Sequence, residues 1–331
     1  MVPDFNLQNG KKLRYGENPH QEGWFYETDD AKDDSLAISK FEFLQGKELS
    51  YNNYLDMDGA IFALTHLGGD LPRLRGLPAQ AAQAVCVIVK HTNPCGAARR
   101  KTAAEAYQAA WYEGDPLAAF GGVMGITREV DGALAEKMTG NFFEILLAPA
   151  VTSEAKAIFA KKPNLRVMVN PSLSNPKPWA GFMAHRVRGG ILVQDADSKP
   201  LAKEALKTVT KRAPTDAELV DLLFAWAVCR STKSNTVVAA KGETLIASGA
   251  GQQDRKRCGE LCVSKGGERL KGAVAASDGF FPFKDSLQVL ANAGVTAVIQ
   301  PGGSIRDAEV IAAADEAGIA MIMTGTRAFR H

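Results

Sequence analysis

The sequence has 331 residues, 46% of them hydrophobic and 23% charged, with a formal net charge of +2. That length fits two ordinary domains better than one simple core. Near-neutral charge excludes the concentrated basic face of a nucleic-acid binder, and no apolar run reaches the roughly 18 residues of a membrane span.

The five cysteines, Cys86, Cys95, Cys229, Cys258 and Cys262, are odd in number and irregularly spaced, and Met1 to Leu7 carries no basic-then-apolar export pattern. Reduced thiols and a cytoplasmic location are expected. Early in the chain, Leu13-Arg14-Tyr15-Gly16-Glu17-Asn18-Pro19-His20-Gln21 gathers polar side chains around a Gly and a Pro. It reads as an ordered polar loop or, equally simply, as a surface turn. A second polar stretch, Gly46 to Asp56, leads into an apolar helical run from Met57 to Leu67 closed by Gly68-Gly69. His66 is expected there as a helix C-terminal histidine rather than a ligand.

Ala84-Val85-Cys86-Val87-Ile88-Val89 is a short apolar run bounded by turn residues, the pattern of a strand buried on both faces. Lys90 and His91 end it, and Asn93-Pro94-Cys95-Gly96 signals a turn. A cation and an imidazole at a strand's carboxyl end suit a ligand site in an open α/β sheet. A snorkelling lysine and a histidine that caps the strand explain the same pattern, so local sequence leaves both readings open.

Thr102-Ala103-Ala104-Glu105 is a capping box opening an alanine-rich helix that stops near Gly114. Strands at Val123 to Ile126, Phe143 to Ala148 and Leu165 to Asn170 then alternate with helices at Val130 to Met138 and Ser153 to Lys161. This alternation predicts α/β layers around a largely parallel sheet. From Pro171 to Lys199 the texture changes, and Ala184 to Gln194, interrupted by Gly189-Gly190, reads as a hairpin or bulged strand. A domain transition is placed between about 195 and 213.

The second half restarts at a further capping box, Thr215-Asp216-Ala217-Glu218, heading an apolar helix through Cys229. Strands at Thr236 to Ala240 and Thr244 to Ser248 precede Gly249-Ala250-Gly251-Gln252-Gln253-Asp254-Arg255 and a helix, and the β/α texture continues to the end. Two halves of like texture suggest duplication, although no residue-level repeat supports it.

Several chemistries can be weighed on these residues. His91 with Pro94-Cys95 faintly matches a zinc deaminase pattern, but Asn93 stands in place of the acid-base Glu and Ala98 in place of the second Cys. Cys258 and Cys262 are spaced as two small residues on one helix face, so no zinc site is expected. Pro301-Gly302-Gly303-Ser304 suits either an anion or a tight βα turn, and neither it nor Gly249-Ala250-Gly251 carries a P-loop or dinucleotide fingerprint. In Ser277-Asp278-Gly279-Phe280-Phe281-Pro282-Phe283-Lys284-Asp285, three phenylalanines either plug the core or form an aromatic wall with a carboxylate for a flat heterocycle.

Taken in order, Leu13 to Gln21, Lys90-His91-Thr92-Asn93-Pro94-Cys95-Gly96-Ala97-Ala98, Ala119-Phe120-Gly121-Gly122, Lys233-Ser234-Asn235, Gly249 to Gln253 with Arg255, Ser277 to Asp285 and Arg327-Ala328-Phe329-Arg330-His331 resemble the AICAR transformylase family. That family forms the C-terminal portion of a bifunctional purine biosynthesis protein. The resemblance covers nearly the whole chain. Its front departs, because the first transformylase motif arrives by Leu13 with no IMP cyclohydrolase domain before it. Formyl transfer with ring closure left to a separate IMP cyclohydrolase is therefore the expectation.

The resemblance implies two cytidine-deaminase-like α/β/α subdomains without zinc, at 1–200 and 201–331, and a homodimer with active sites at the subunit interface. It implies AICAR as substrate, 10-formyltetrahydrofolate as co-substrate and, without any residue requiring it, a structural potassium ion. Carried over by motif, Lys90, His91 and Asn235 become catalytic. Arg14, Tyr15, Phe120, Gly121, Glu144, Arg255, Phe280 and Arg327 become substrate contacts, Glu144 standing where some relatives have Asp. Phe280, Asp285 and Ser304 fall on the folate side. Arg230-Ser231-Thr232 and Lys256-Arg257 depart from the family pattern. An inactive nucleotide-binding regulatory module is the alternative, opposed by retention of Lys90, His91 and Asn235 together; a deaminase-like hydrolase lacks its metal set.

Overall fold

The structure is a computed structural model and describes residues 7–71 and 83–331. An antiparallel ribbon of β1 (Gln8–Lys12) and β2 (Trp24–Glu27) opens the chain. The first half then runs through β3 (Glu42–Gln45), α1 (Tyr51–Leu64), β4 (Ala84–Lys90), β5 (Asn93–Arg100), α2 (Ala103–Tyr112), α3 (Pro116–Ala119) and β6 (Val123–Ile126). It ends with α4 (Gly132–Thr139), β7 (Ile145–Ala148), α5 (Ser153–Phe159) and β8 (Arg166–Val169). β9 (Phe182–Val187) and β10 (Gly190–Asp195) form a hairpin that turns at Arg188-Gly189, the first of the two forms the sequence left open. The second half comprises β11 (Lys207–Thr208), α6 (Asp216–Arg230), β12 (Val237–Ala240), β13 (Leu245–Gly249), α7 (Arg255–Gly266) and β14 (Val274–Ser277). Then come α8 (Lys284–Asn292), β15 (Ala297–Gln300), α9 (Asp307–Glu316) and β16 (Ala320–Met323).

Helix starts follow local chemistry. Thr102 and Glu105 cap α2 reciprocally, and Thr215 and Glu218 cap α6 in the same way. α1 begins six residues before the apolar run that announced it, because Ser50 and Asn53 form a box with Asn in the Glu position. The polar stretch ahead of Met57 is thus helix in part.

Two six-stranded sheets result, ordered β3-β8-β7-β6-β4-β5 and β11-β16-β15-β14-β12-β13. The second repeats the first strand for strand. In each, only three inner strands (β6, β7, β8 and β14, β15, β16) pair in parallel; the other pairs are antiparallel. The expected largely parallel sheet is therefore mixed. Two tight hairpins are the reason, since a two-residue turn can join only antiparallel strands. The turn lies at His91-Thr92, and Asn93-Pro94-Cys95-Gly96, read as a turn, is the start of β5. Pro94 is tolerated because β5 is an edge strand.

One apolar core lies between the sheets and includes Met57 and Leu64 of α1, Phe224 and Val228 of α6, Val87 of β4 and Val238 of β12. The outer faces pack separately, one against α2, α4 and α5, the other against α7, α8 and α9. Cys258 and Cys262 sit buried on the inner face of α7, and the five cysteines are free. The sheets also touch edge to edge, through an Ala98–Thr244 bridge. No described helix is long and apolar enough to cross a membrane.

Candidate functional site

Antiparallel register decides which residues meet. β4 and β6 run in opposite directions with Val89 opposite Val123, so residues leaving β4 lie beside those entering β6. Lys90 Nζ accordingly donates to the Phe120 carbonyl at 2.7 Å, and Gly121 follows at a φ of 76° that favours glycine. His91 and Thr92 form the hairpin tip at φ 52° and 62°, the left-handed pair of a type I′ turn. The tip is anchored from two sides. Thr92 N–H donates to Asp56 Oδ1 at 2.6 Å, and Asn93 Nδ2 donates to the His91 carbonyl at 2.8 Å. Burial pushes the Asp56 carboxyl pKa up against the opposing pull of the Thr92 amide and His91, and Glu144 adds to the rise.

In the second half, Val237 of β12 pairs with Gly249 on one side and Ser277 on the other. Residues before β12 therefore sit between the loop after β13 and the loop after β14. Asn235 Nδ2 donates to the Gln252 and Gln253 carbonyls at 3.0 and 3.1 Å, and its Oδ1 accepts from Arg255 Nη2 at 2.7 Å. Arg255 is only 7% exposed. Its other nitrogen donates to the Thr236 carbonyl, the Ser277 hydroxyl and the fully buried Asp278 carboxylate. The expected nucleotide contact thus falls on a guanidinium already committed to protein partners, one of them Asn235. Lys233 N–H donates to Asn93 Oδ1 at 2.9 Å. Asn93 thereby ties the His91 turn to the segment that carries Asn235.

Sequence left two readings of the phenylalanine loop, and the structure divides them by residue. Phe281 is fully buried and its N–H donates to Gln300 Oε1 at 3.0 Å, so it plugs the core. Phe280 and Phe283 are exposed. Asp285 opens α8 with its carboxylate 3.7 Å from Lys256 Nζ, and Ser304 N–H donates to Asp307 Oδ1 at 3.2 Å. Arg327 is exposed, with its Cζ 4.8 Å from the Phe329 ring. A Cβ on Gly279 would lie 2.8 Å from that same ring, so the loop and the chain end pack closely there.

Arg14, Tyr15 and Glu144 meet in a different place, a cavity of about 560 Å³. Arg14, Lys47, Lys161, Lys162 and Arg166 supply positive charge to its wall and Glu144 the negative charge. Glu144 accepts from Asn53 Nδ2 at 3.1 Å and lies 3.6 Å from Arg166. Arg14 Nη2 donates to the Tyr15 hydroxyl at 3.1 Å. Burial disfavours the Arg166 charge, Glu144 supports it, and Arg14 opposes it again. An anion in this cavity would relieve that crowding, and forked guanidinium donors suit a phosphate.

None of Lys90, His91, Asn235, Arg255, Phe280, Asp285, Ser304 and Arg327 lines that cavity. Phe120 stands beside it, its ring 5.0 Å from that of the lining residue Phe142, and Gly121 N–H donates to the Phe142 carbonyl at 2.9 Å. Within one chain the site is therefore two clusters joined through the Phe120-Gly121 turn. Asp56, Asn53 and Arg166 were missed from sequence. The Ser50-to-Asn53 capping box was the available signal for Asn53, which is itself a member of the box. Among the described residues no group of three or more His, Cys, Asp or Glu gathers as a metal site.

Comparison with known proteins adds a family. The sequence model described as "AICARFT/IMPCHase bienzyme" matches residues 2–265. The bifunctional purine biosynthesis protein PurH of Roseobacter denitrificans is 44% identical over 330 residues, covering 96% of this chain and 59% of that protein. PurH of Cereibacter sphaeroides is 47% identical over 329 residues, with the same 96% and 59% coverage. PurH of Myxococcus xanthus is 46% identical over 331 residues, covering 98% and 61%. The chain thus spans 59–61% of the length of these curated relatives.

Proposed function

This chain belongs to the AICARFT/IMPCHase bienzyme family, and from that premise we propose that it moves the formyl group of 10-formyltetrahydrofolate to the 5-amino group of AICAR. The products are formyl-AICAR and tetrahydrofolate, in purine biosynthesis. The observation that carries this reading is the bonded chain from His91 through Asn93 to Lys233, two residues before Asn235, joined, at the Phe120-Gly121 turn that holds Lys90, to a cationic cavity of about 560 Å³.

The amine is a weak nucleophile because the neighbouring carboxamide withdraws its electrons. Its nitrogen attacks the formyl carbon, the carbon–N10 bond breaks, the amine loses a proton and folate N10 gains one. His91 takes the amine proton from its exposed hairpin tip. Lys90, held by the Phe120 carbonyl, stabilises the developing oxyanion or protonates the departing N10. Asn235 orients the carboxamide and amine, and Arg255 fixes the Asn235 amide. Arg14, Tyr15 and Arg327 take the phosphate, Phe120 and Gly121 flank the ring, and Glu144 takes a ribose hydroxyl. Phe280, Asp285 and Ser304 take the pterin side.

Two cytidine-deaminase-like subdomains, 1–200 and 201–331, are the natural units of this reading, supported by the strand-for-strand repetition of the sheets. The separation of Arg14 from Arg327 supports a homodimer in which each active site draws one cluster from each protomer. The test is conversion of 10-formyltetrahydrofolate to tetrahydrofolate dependent on AICAR, with the purine product identified. Formyl-AICAR formation supports the reading; tight AICAR binding without turnover defeats it in favour of a regulatory module.

A further inference from the structure

Asn235 has a side-chain amide whose orientation its partners fix. Nδ2 donates to the Gln252 and Gln253 carbonyls, and Oδ1 accepts from Arg255 Nη2 at 2.7 Å. Carbonyls only accept and a guanidinium only donates, so turning the amide over would oppose like groups at all three contacts. Both Nδ2 hydrogens are thereby spent. What Asn235 has left for a ligand is the second lone pair of Oδ1, which makes it an acceptor and not a donor.

The group behind this arrangement is Asp278, which directly follows β14 and is fully buried. Its Oδ1 accepts from Arg255 Nη1 and from the Thr236 N–H at 3.2 Å, and its Oδ2 accepts from Ser234 Oγ at 2.5 Å. A buried carboxylate is costly unless donors surround it. Here they come from the guanidinium on the Asn235 amide and from the residues on either side of Asn235. The Asp278 carbonyl also accepts from the Ala328 N–H at 2.9 Å, which ties the same residue to the neighbour of Arg327. Packing alone does not call for an ion pair in this place, since apolar residues often replace buried pairs at no loss of stability.

We propose that Asp278 is a positioning residue for formyl transfer: from the core it aligns Arg255 and, through Arg255, presents the Asn235 oxygen to the 5-amino group of the substrate. The proposal rests on the transferase reading above. Asp278 acts through Arg255 because, fully buried, it cannot reach a substrate itself. The chemistry of the amine suits an acceptor. Its lone pair has to stay free to attack the formyl carbon, so it can be held only through an N–H, and Asn235 Oδ1 holds it that way. A donor in that place would take the lone pair instead. The anion matters because a charge-assisted hydrogen bond is roughly twice as strong as a neutral one.

The test is calorimetric titration of the full chain with AICAR and with the same ribotide lacking the 5-amino group. The native protein is expected to prefer AICAR by about tenfold, the worth of one good hydrogen bond. Asp278→Asn keeps the shape of the side chain and removes the anion. It is expected to lose most of that preference while binding the deamino compound nearly as before, and to add no further loss in an Asn235→Ala background. Ser234→Ala takes one donor from the carboxylate and leaves Arg255 paired. It is the milder probe where Asp278→Asn does not fold, and part of the preference is expected to go with it. No preference in the native protein, preference kept in the variants, equal weakening of both ligands, or additive losses in the double variant overturns the proposal. Absence of AICAR binding by the native protein defeats the transferase reading and the proposal with it, whereas bound AICAR with the preference kept in Asp278→Asn defeats the proposal alone.

Discussion

His91 combines an exposed imidazole with a backbone held at φ 52° by its turn, Asp56 and Asn93. Removing the imidazole leaves those backbone anchors untouched. His91→Ala is therefore expected to lower kcat by about 10²–10⁴-fold, the usual worth of a positioned acid–base group, with nucleotide KM nearly unchanged. Steady-state kinetics decide it, and a rise in KM alone would remove His91 from proton transfer. The Lys90-His91 pair was legible in sequence because a charged and an ionisable residue end an otherwise apolar strand. Asp56 was not. Its role comes from a bond to Thr92, 36 residues away, and nothing local marks an aspartate on a helix as the anchor of a distant turn.

Among elements, the capping boxes of α2 and α6 were read directly, because their partners lie three residues apart. The α6 box has a further partner that sequence does not announce. Glu218 accepts both Arg212 Nη groups, at 2.8 and 3.0 Å, and also caps the Thr215 amide at 2.8 Å. Burial works to raise its carboxyl, but Arg212 and the Thr215 amide outweigh it and hold the pKa down to about 2. A folded pKa below the unfolded value of about 4.3 contributes stability that is present above that value and lost as pH falls towards about 2. The Tm difference between the native protein and Glu218→Gln is thus expected to be positive at neutral pH and to vanish across that window, measured by circular dichroism. Close packing also repeats between the halves. A Cβ on Gly96 of β5 would lie 2.2 Å from the Ala110 carbonyl of α2, and one on Gly249 of β13 would lie 2.0 Å from the Cys258 carbonyl of α7. Backbone cannot swing aside as a rotamer can. Gly96→Ala and Gly249→Ala are each expected to cost about 1–3 kcal/mol or more in urea unfolding, whereas Gly190→Ala, with nothing within 4 Å, is expected to be nearly neutral.

At the scale of the whole molecule, the halves are held by a shared core and by ion pairing across the sheet edges. Arg99 Nη1 lies 2.5 Å from Glu243 Oε1, with Arg99 4% and Glu243 9% exposed. Glu243→Ala is expected to be destabilising, because it removes the carboxylate that pairs with the buried Arg99 guanidinium. Replacing both residues by apolar ones is expected to recover most of that loss, and denaturant midpoints at constant slope provide the check. A Glu243→Ala midpoint equal to the native one would show that the edge contact does not hold the halves. The sequence by itself determined the β/α alternation, the caps of α2 and α6, and the ordered motifs that carry the family. Those are local signals, written in periodicity and in spacings of a few residues. Only the tertiary structure decided that the sheets are mixed and share one topology, that Phe281 is core while Phe280 faces out, and that Arg255 supports Asn235. It also put Arg14 and Asn235 in separate clusters of one chain. Each of these depends on strand direction and register, which join residues far apart in sequence, and one tight turn at His91-Thr92 is enough to reverse a strand and change every neighbour it has.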